Sequence, residues 1–241
     1  DGYPNIIRVN QTEPVAVLEA GLPVGAFKLY ETNGTIKTDE ELAAYQLLDP
    51  NAQKGDLKYV DTDGNGELNN NDKVYKGSYQ PDFEIGFNID ANYKNFDFSV
   101  QFYAVSGNTI YNGQKQYAYS TKRHRDLVYS WTDENPTSNI PTPRSNIEHP
   151  NVQTSTDYFL EDGSFIRVRN IILGYSLSNK LLDKIGVENF RFYINAQNPI
   201  TWTKYSGFDP EVGSSNPFNG GLDRGNYPVT ANYSAGISIT F

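Results

Sequence analysis

The sequence predicts an all-β fold, a set of transmembrane strands from a large antiparallel barrel with its long loops on one side. Three observations carry this. First, Tyr233, Ala235, Ile237, Ile239 and Phe241 fall at every second position of the closing stretch, with Ser234, Gly236, Ser238 and Thr240 between them. A period of two marks a strand with one apolar face. Second, residues 82–93 and 95–106 repeat that alternation over about the 9–11 residues that a tilted strand needs to cross a bilayer. Third, counting back from Phe241, the long connections 204–230, 107–158 and 32–81 fall on one side, and the short ones near 94 and at 178–188 on the other. Short periplasmic turns and long extracellular loops belong to outer-membrane barrels; a soluble sandwich has no reason to segregate them.

Six strands are expected, at 24–30, 82–93, 95–106, 159–177, 189–203 and 231–241. Residues 1–23 are irregular, broken by Pro4, Pro14 and Pro23. The strand at 24–30 puts Phe27 and Leu29 on one face. Residues 38–48 (TDEELAAYQLL) read as a short helix, with Thr38 as N-cap and Glu40 and Glu41 at its positive end. In 82–93, Phe83, Ile85, Phe87, Ile89, Ala91 and Tyr93 oppose Glu84, Gly86, Asn88, Asp90 and Asn92. After a tight turn, Phe96, Phe98, Val100, Phe102 and Ala104 oppose Asp97, Ser99, Gln101 and Tyr103. Residues 107–158 hold no sustained period, and a loop of that length implies function. The alternation of 159–177 slips near Asn170. A turn containing Leu181, Leu182, Asp183 and Lys184 leads to 189–203, where Phe190, Phe192, Ile194, Ala196, Ile200 and Trp202 oppose Arg191, Tyr193, Asn195 and Gln197. Pro199 cannot donate to a ladder, so a bulge is expected there.

Composition narrows the function classes. The chain has 241 residues, a formal net charge of −9, 18 Tyr and 13 Phe, and neither Cys nor Met. Zero Cys excludes disulfides, cysteine-based zinc sites and cysteine nucleophiles. An acidic chain has no electrostatic reason to bind nucleic acid. The mean hydropathy of −0.60 and the lack of a long apolar run exclude a transmembrane helix. They say little against a barrel, where polar lumen positions cancel the lipid-facing ones.

Residues 61–72 match a twelve-residue calcium loop. Asp61, Asp63 and Asn65 supply oxygens at positions 1, 3 and 5, and Gly66 makes the turn at 6. Glu67 ligates through its backbone carbonyl, Asn69 through water, and Asp72 closes the site. A hard cation needs six to eight oxygens or so, and this spacing wraps the chain around one. Asp rather than Glu at position 12 shortens the reach, and the extended look of 56–60 excludes a paired helix–loop–helix sensor. The competing reading is a plain Asx/Gly turn.

Other candidates are weaker. His124 and His149, the only histidines, lack a nucleophile and acid in a recognisable arrangement, so no catalytic residue is expected and the chain is not read as an enzyme. Asp209 and Glu211 resemble a carboxylate pair for glycoside hydrolysis, but neighbours split by Pro210 in a loop read as structural. Tyr117, Tyr119, Tyr129 and Trp131 suit sugar stacking, a partner, or the cover of a barrel mouth. Lys122, Arg123, His124 and Arg125 read as a solvated face.

With these residues in view, the chain resembles the SusC/RagA family of TonB-dependent outer-membrane transporters. The likeness lies in Gly55-Asp56-Leu57-Lys58-Tyr59 leading to the calcium loop and Asp72-Lys73, and in the segment Gly163-Ser164-Phe165-Ile166-Arg167-Val168-Arg169-Asn170-Ile171-Ile172-Leu173-Gly174-Tyr175. Gln197-Asn198, Thr201-Trp202-Thr203 and Tyr205-Ser206-Gly207-Phe208-Asp209-Pro210-Glu211 follow in family order. The match runs from Gly21 to Phe241, with Pro199 and Ser178 as departures. The resemblance implies the C-terminal portion of a plugged barrel of roughly 22 strands, set in the outer membrane of a Gram-negative bacterium. It implies TonB-driven import of a glycan or peptide oligomer under a SusD-like surface lipoprotein lid, with the TonB contact upstream and two transporter–lid pairs able to associate. Six strands cannot close a barrel, so the remainder of the same barrel is an obligatory partner. The alternative is a secreted, calcium-stabilised β-sandwich that binds carbohydrate, which would bury Phe83, Phe87, Phe96 and Phe102 against a second sheet.

Overall fold

The computed structural model describes residues 7–9, 13–146, 149–153, 155–178, 181–182, 186–213 and 220–241. In chain order its elements begin β1 (Ile7–Val9), β2 (Glu13–Val17), β3 (Ala26–Tyr30), β4 (Thr32–Thr35), α1 (Asp39–Tyr45), β5 (Leu57–Tyr59), β6 (Lys73–Ser78), β7 (Phe83–Tyr93) and β8 (Phe96–Ser106). They continue with β9 (Thr109–Asn112), α2 (Gly113–Ser120), β10 (Leu160–Asp162), β11 (Phe165–Ser176), β12 (Asn189–Thr203), β13 (Leu222–Asp223) and β14 (Asn232–Thr240). Two compact units result, one of the described residues of 1–80, 108–162 and 212–226, the other of 81–107, 163–211 and 227–241. The opening residues 1–6 and the turn residues Asp183 and Lys184 lie outside the described residues.

The second unit is a single antiparallel sheet in the order β14-β12-β11-β8-β7. Alternation fixes its register, because a slip of one residue would turn every apolar side chain to the other face. Ala91, Phe98, Leu173, Ile194 and Ala235 form one apolar row across all five strands, and Tyr93, Phe96, Tyr175, Phe192 and Ile237 the next. A two-residue turn joins β7 to β8, with Lys94 at φ 54°. The connections 107–164 and 204–231 leave one end of the sheet; 94–95 and 177–188 leave the other.

The expected irregularities are present and coincide. Between Val168 and Asn170 the register of β11 slips against both neighbours. Opposite Arg169, β12 spends two residues, Asn198 (φ 48°) and Pro199. Proline lacks the N–H that a ladder needs, so a bulge is where a strand tolerates it. The slip re-aims β11: Val168 and Ile171 keep the apolar side, while Arg167, Arg169 and Asn170 share the polar one.

The first unit corrects two strand assignments. The segment expected as a wall strand at 24–30 becomes β3, which pairs with β2 and β6 in a separate sheet, β1-β2-β3-β6. Its apolar face packs inward: Phe27 and Leu29 are buried with Val15, Ala16, Tyr111, Tyr119, Phe159 and Leu222. The stretch 159–177 is two strands, not one. Gly163 and Ser164 interrupt it, and β10 pairs with β9 in the sheet β10-β9-β13 while β11 enters the wall. The long connections are therefore folded, not open loops. Helix α1 starts where Thr38 Oγ1 accepts from Glu41 N at 3.1 Å, with Asp39, Glu40 and Glu41 at its positive end. A buried junction ties distant parts together: Asn151 Nδ2 donates to Asp56 Oδ1 at 3.0 Å and to Thr142 O at 2.9 Å, while its Oδ1 accepts from Leu57 N at 2.9 Å.

Candidate functional site

Two features carry chemistry: the two faces of the five-stranded sheet, and the acidic loop of the other unit. The apolar face of the sheet is open. Phe83, Phe87 and Phe96 are 54%, 58% and 49% exposed, and Ile194, Trp202, Ile237 and Phe241 are exposed with them. Phe102 is half-buried. No second sheet covers this face within the described residues of the unit, which removes the β-sandwich expectation. A contiguous apolar surface of this extent marks a partner or a membrane.

The opposite face is polar and internally paired. Arg167, 1% exposed, donates from Nε to Thr201 Oγ1 at 2.8 Å, from Nη2 to Asp209 Oδ1 at 2.6 Å and from Nη1 to Glu211 Oε2 at 2.7 Å. Arg169 adds a two-pronged pair to Glu211, at 2.7 and 2.9 Å, and lies over the Tyr103 ring. Asp209 Oδ2 also accepts from Val229 N at 2.8 Å. The two loop carboxylates are thus committed to arginines beside the bulge, which excludes free acid–base work. Sequence reading kept Asp209 and Glu211 as structural but did not find their partners, because pairs 42 and 44 residues apart leave no local pattern.

The acidic loop brings three of its expected ligands together. One carboxylate oxygen each of Asp61, Asp63 and Asp72 lies within 4.8 Å of the others. Backbone donors hold them: Asp61 accepts from Gly64 N and Gly66 N at 2.7 Å each, and Asp72 from Thr62 N and Asn69 N at 2.8 Å each. The Asn69 N–H, against the opposing effect of burial, keeps the Asp72 carboxyl below the usual range. Gly66 has φ 84°, the left-handed geometry that suits glycine at the sixth position. Asn65 turns its amide inward to the loop, with Oδ1 accepting from Glu67 N at 2.8 Å. Glu67 is exposed.

The aromatic residues of the long connection separate. Tyr119 and Trp131 are buried, whereas Tyr117 and Tyr129 are exposed. Burial, with the Tyr158 hydroxyl beside it, pushes the Tyr119 phenol far up. His124 Nδ1 accepts from Asp126 N at 3.3 Å, and His149 Nδ1 accepts from Asn151 N at 3.2 Å. Both histidines thus cap short helices. A cleft of about 420 Å³ lies among Tyr30, Tyr45, Tyr59, Asp49, Glu67 and His149.

No family model matches the chain. It is similar to TonB-dependent receptor P3 of Formosa agariphila, at 31% identity over 249 residues covering 100% of this chain and 24% of that protein. It is also similar to TonB-dependent receptor SusC of Bacteroides thetaiotaomicron, at 31% identity over 199 residues, 81% of this chain and 19% of that protein. Among solved structures, the RagAB peptide transporter matches 98% of this chain and 24% of its own, with a TM-score of 0.73 and 23% identity. The RagAB peptide importer in its open-open state matches with a TM-score of 0.71 and 23% identity. At that identity the structural likeness speaks for the fold alone, part of an antiparallel β-barrel wall. The chain spans about a quarter of the length of the relatives it matches.

Proposed function

This chain belongs to the SusC/RagA family of TonB-dependent outer-membrane transporters, whose C-terminal part it matches, and on that premise we propose that it builds one wall of a barrel importing an oligomeric nutrient, glycan or peptide. The single observation that carries the proposal is the two-faced sheet. Its strands of 11, 11, 12, 15 and 9 residues reach or exceed the roughly 9 residues of a membrane crossing. They offer an apolar face to lipid and a polar, arginine-braced face to a lumen. The open edges at β7 and β14 demand the remainder of the same barrel, since unpaired strand edges are not tolerated in hydrocarbon. The long connections face the cell exterior, where a SusD-like lipoprotein closes over the mouth. Energy enters through TonB, at a segment outside this chain, and no residue here takes part in covalent chemistry. The test uses the full-length protein carrying this segment. Heat-modifiable migration from an outer-membrane fraction, with a lipoprotein co-purifying, is the expected result. A soluble, detergent-free protein would overturn the reading.

A second reading concerns residues 61–72. We infer that they bind calcium as a structural ion, with Asp61, Asp63, Asn65, the Glu67 carbonyl and Asp72 as ligands. Its support is the convergence of Asp61, Asp63 and Asp72 within 4.8 Å, a repulsive arrangement that a divalent cation offsets. The ion supplies no chemistry beyond fixing the loop. Terbium luminescence at this loop, displaced by calcium and lost in Asp63→Ala, is the expected outcome. An unchanged signal in that variant would refute the assignment.

A further inference from the structure

The cleft between α1 and the acidic loop is explained by neither reading above, although Gly66 and Glu67 of that loop line it. Its volume of about 420 Å³ falls within the roughly 300–1,000 Å³ usual for ligand sites. Tyr30, Tyr45 and Tyr59 line it with Leu57, and two carboxylates reach it from separate segments: Asp49 after α1, and Glu67 from the acidic loop.

The hydrogen bonding decides what such a cleft can offer. Tyr45 Oη accepts from Tyr59 N at 2.8 Å, and Tyr59 Oη donates to Pro150 O at 2.6 Å. The Tyr59 phenol spends its proton and the Tyr45 oxygen accepts one bond, so an occupant meets mainly ring surface. Asp56, a third carboxylate of the lining, is neutralised by Arg144 Nε at 2.7 Å and by Asn151 Nδ2 at 3.0 Å. Asp49 accepts Asn51 N at 3.0 Å, and neither Asp49 nor Glu67 has an ion pair among the described residues. Asp49 acts on the rings: the Tyr45 phenol is pushed up to about 12, first by burial, with the Asp49 and Asp56 charges adding. Aromatic rings, Leu57 and two carboxylates without an ion pair repel anions and attract a cation. They fit a cation on an aliphatic stem.

We propose that this cleft binds the side chain of a lysine or arginine from a peptide, its stem against Leu57 and the tyrosine rings, its charge at Asp49 and Glu67. The assignment does not rest on transport; it shares Glu67 with the calcium reading, which uses that residue's backbone carbonyl and leaves its carboxylate to the cleft.

The test is fluorescence anisotropy on the full-length protein in detergent, using labelled Ala-Ala-Lys-Ala-Ala against the same peptide with norleucine or glutamate at its centre. The lysine peptide is expected to bind about tenfold more tightly than the norleucine peptide at low salt, with that margin shrinking at high salt. The margin is expected to vanish in Asp49→Asn and to fall in Glu67→Gln, with thermal midpoints unchanged in both. Equal binding of the lysine and norleucine peptides, or an undiminished margin in Asp49→Asn, overturns the proposal. So does displacement of the lysine peptide by maltohexaose, which would make the cleft a saccharide site. Outer-membrane fractionation of the same preparation reports on the transport reading separately.

Discussion

Asp97 and Arg191 pair across a strand that neither belongs to. Asp97 on β8 accepts from Arg191 Nε at 2.9 Å and from Nη2 at 2.5 Å, although Arg191 sits on β12. Between them runs β11, and the residue of β11 in register with Asp97 is Gly174. A Cβ at 174 would collide with both Asp97 carboxylate oxygens and with Arg191 Nη2. The missing side chain is what lets the pair form.

Gly174→Ala should therefore part the two residues. Both side chains are about a third exposed and their ends can swing aside, so the cost is that of losing a solvent-screened ion pair, about 0–1 kcal/mol. The heat-modifiability midpoint of the full-length barrel reads it. A midpoint equal to wild type would mean that the strands shift to admit the methyl group at no cost.

The lipid face gives a sharper expectation. Phe98 lies in the five-strand row with Ala91, Leu173, Ile194 and Ala235. Phe98→Lys places a cation at mid-bilayer, at a cost of roughly 2–4 kcal/mol. Ser99→Lys, on the opposite face of the same strand, meets no lipid. Outer-membrane yield should fall for the first variant and hold for the second; equal yields would argue that the face meets something other than lipid.

Arg167→Ala tests the inner face. It strands Asp209, whose side chain is 10% exposed, while Arg169 still holds Glu211. Removing one partner of a buried pair costs about 3–5 kcal/mol. The expected readout is new protease cleavage within 204–211, with Arg169→Ala showing less. Uncut chain in both variants would mean that Tyr205 and the Val229 contact suffice to hold the segment.

How much of this was legible in the sequence follows from distance along the chain. The wall strands were readable because Phe83 to Tyr93 and Asn189 to Thr203 carry their faces in local alternation, and even the bulge was, through Pro199 and the slip at Asn170. The partner of β3 was not. Phe27 and Leu29 announce an apolar face but not whether lipid or Tyr111 and Phe159 will cover it. The short strands β4, β5, β9 and β10 span four residues or fewer, too few for a period to register. The convergence of Asp61, Asp63 and Asp72 was legible because those residues are local, whereas the cleft beside the loop draws Tyr30, Tyr59 and His149 from three distant segments.

Asp61→Ala should loosen residues 50–76. Asp61 takes the N–H groups of Gly64, Asn65 and Gly66, so the loop loses its internal scaffold as well as an ion ligand. Chelator added to wild type separates the two effects, since it removes only the ion. Faster proteolysis is expected in the variant and, to a smaller degree, with chelator. Identical cleavage in all three samples would leave the calcium assignment without support.

Acid should loosen the same unit. Burial holds the His149 imidazole below its ordinary 6.5, outweighing the Asp56 carboxylate whose Oδ2 lies 3.7 Å from Nε2, and Arg144 adds to the lowering. Asp56 is already engaged by Arg144 and Asn151, which limits what it returns to the ring. Between the lowered folded value and 6.5 the unfolded chain holds more protons than the folded one, so stability rises with pH. The contribution is complete above 6.5 and is lost as pH falls through the folded value. Glu41 acts in the same direction further down: the Lys37 N–H keeps its carboxyl below 4.5, and that contribution is present above 4.5 and lost below. Proteolysis of the unit should therefore quicken as pH falls below 6.5, and His149→Gln should flatten that first limb while leaving the later acid limb in place. A variant profile that still rises with the wild type would place the sensitive group elsewhere.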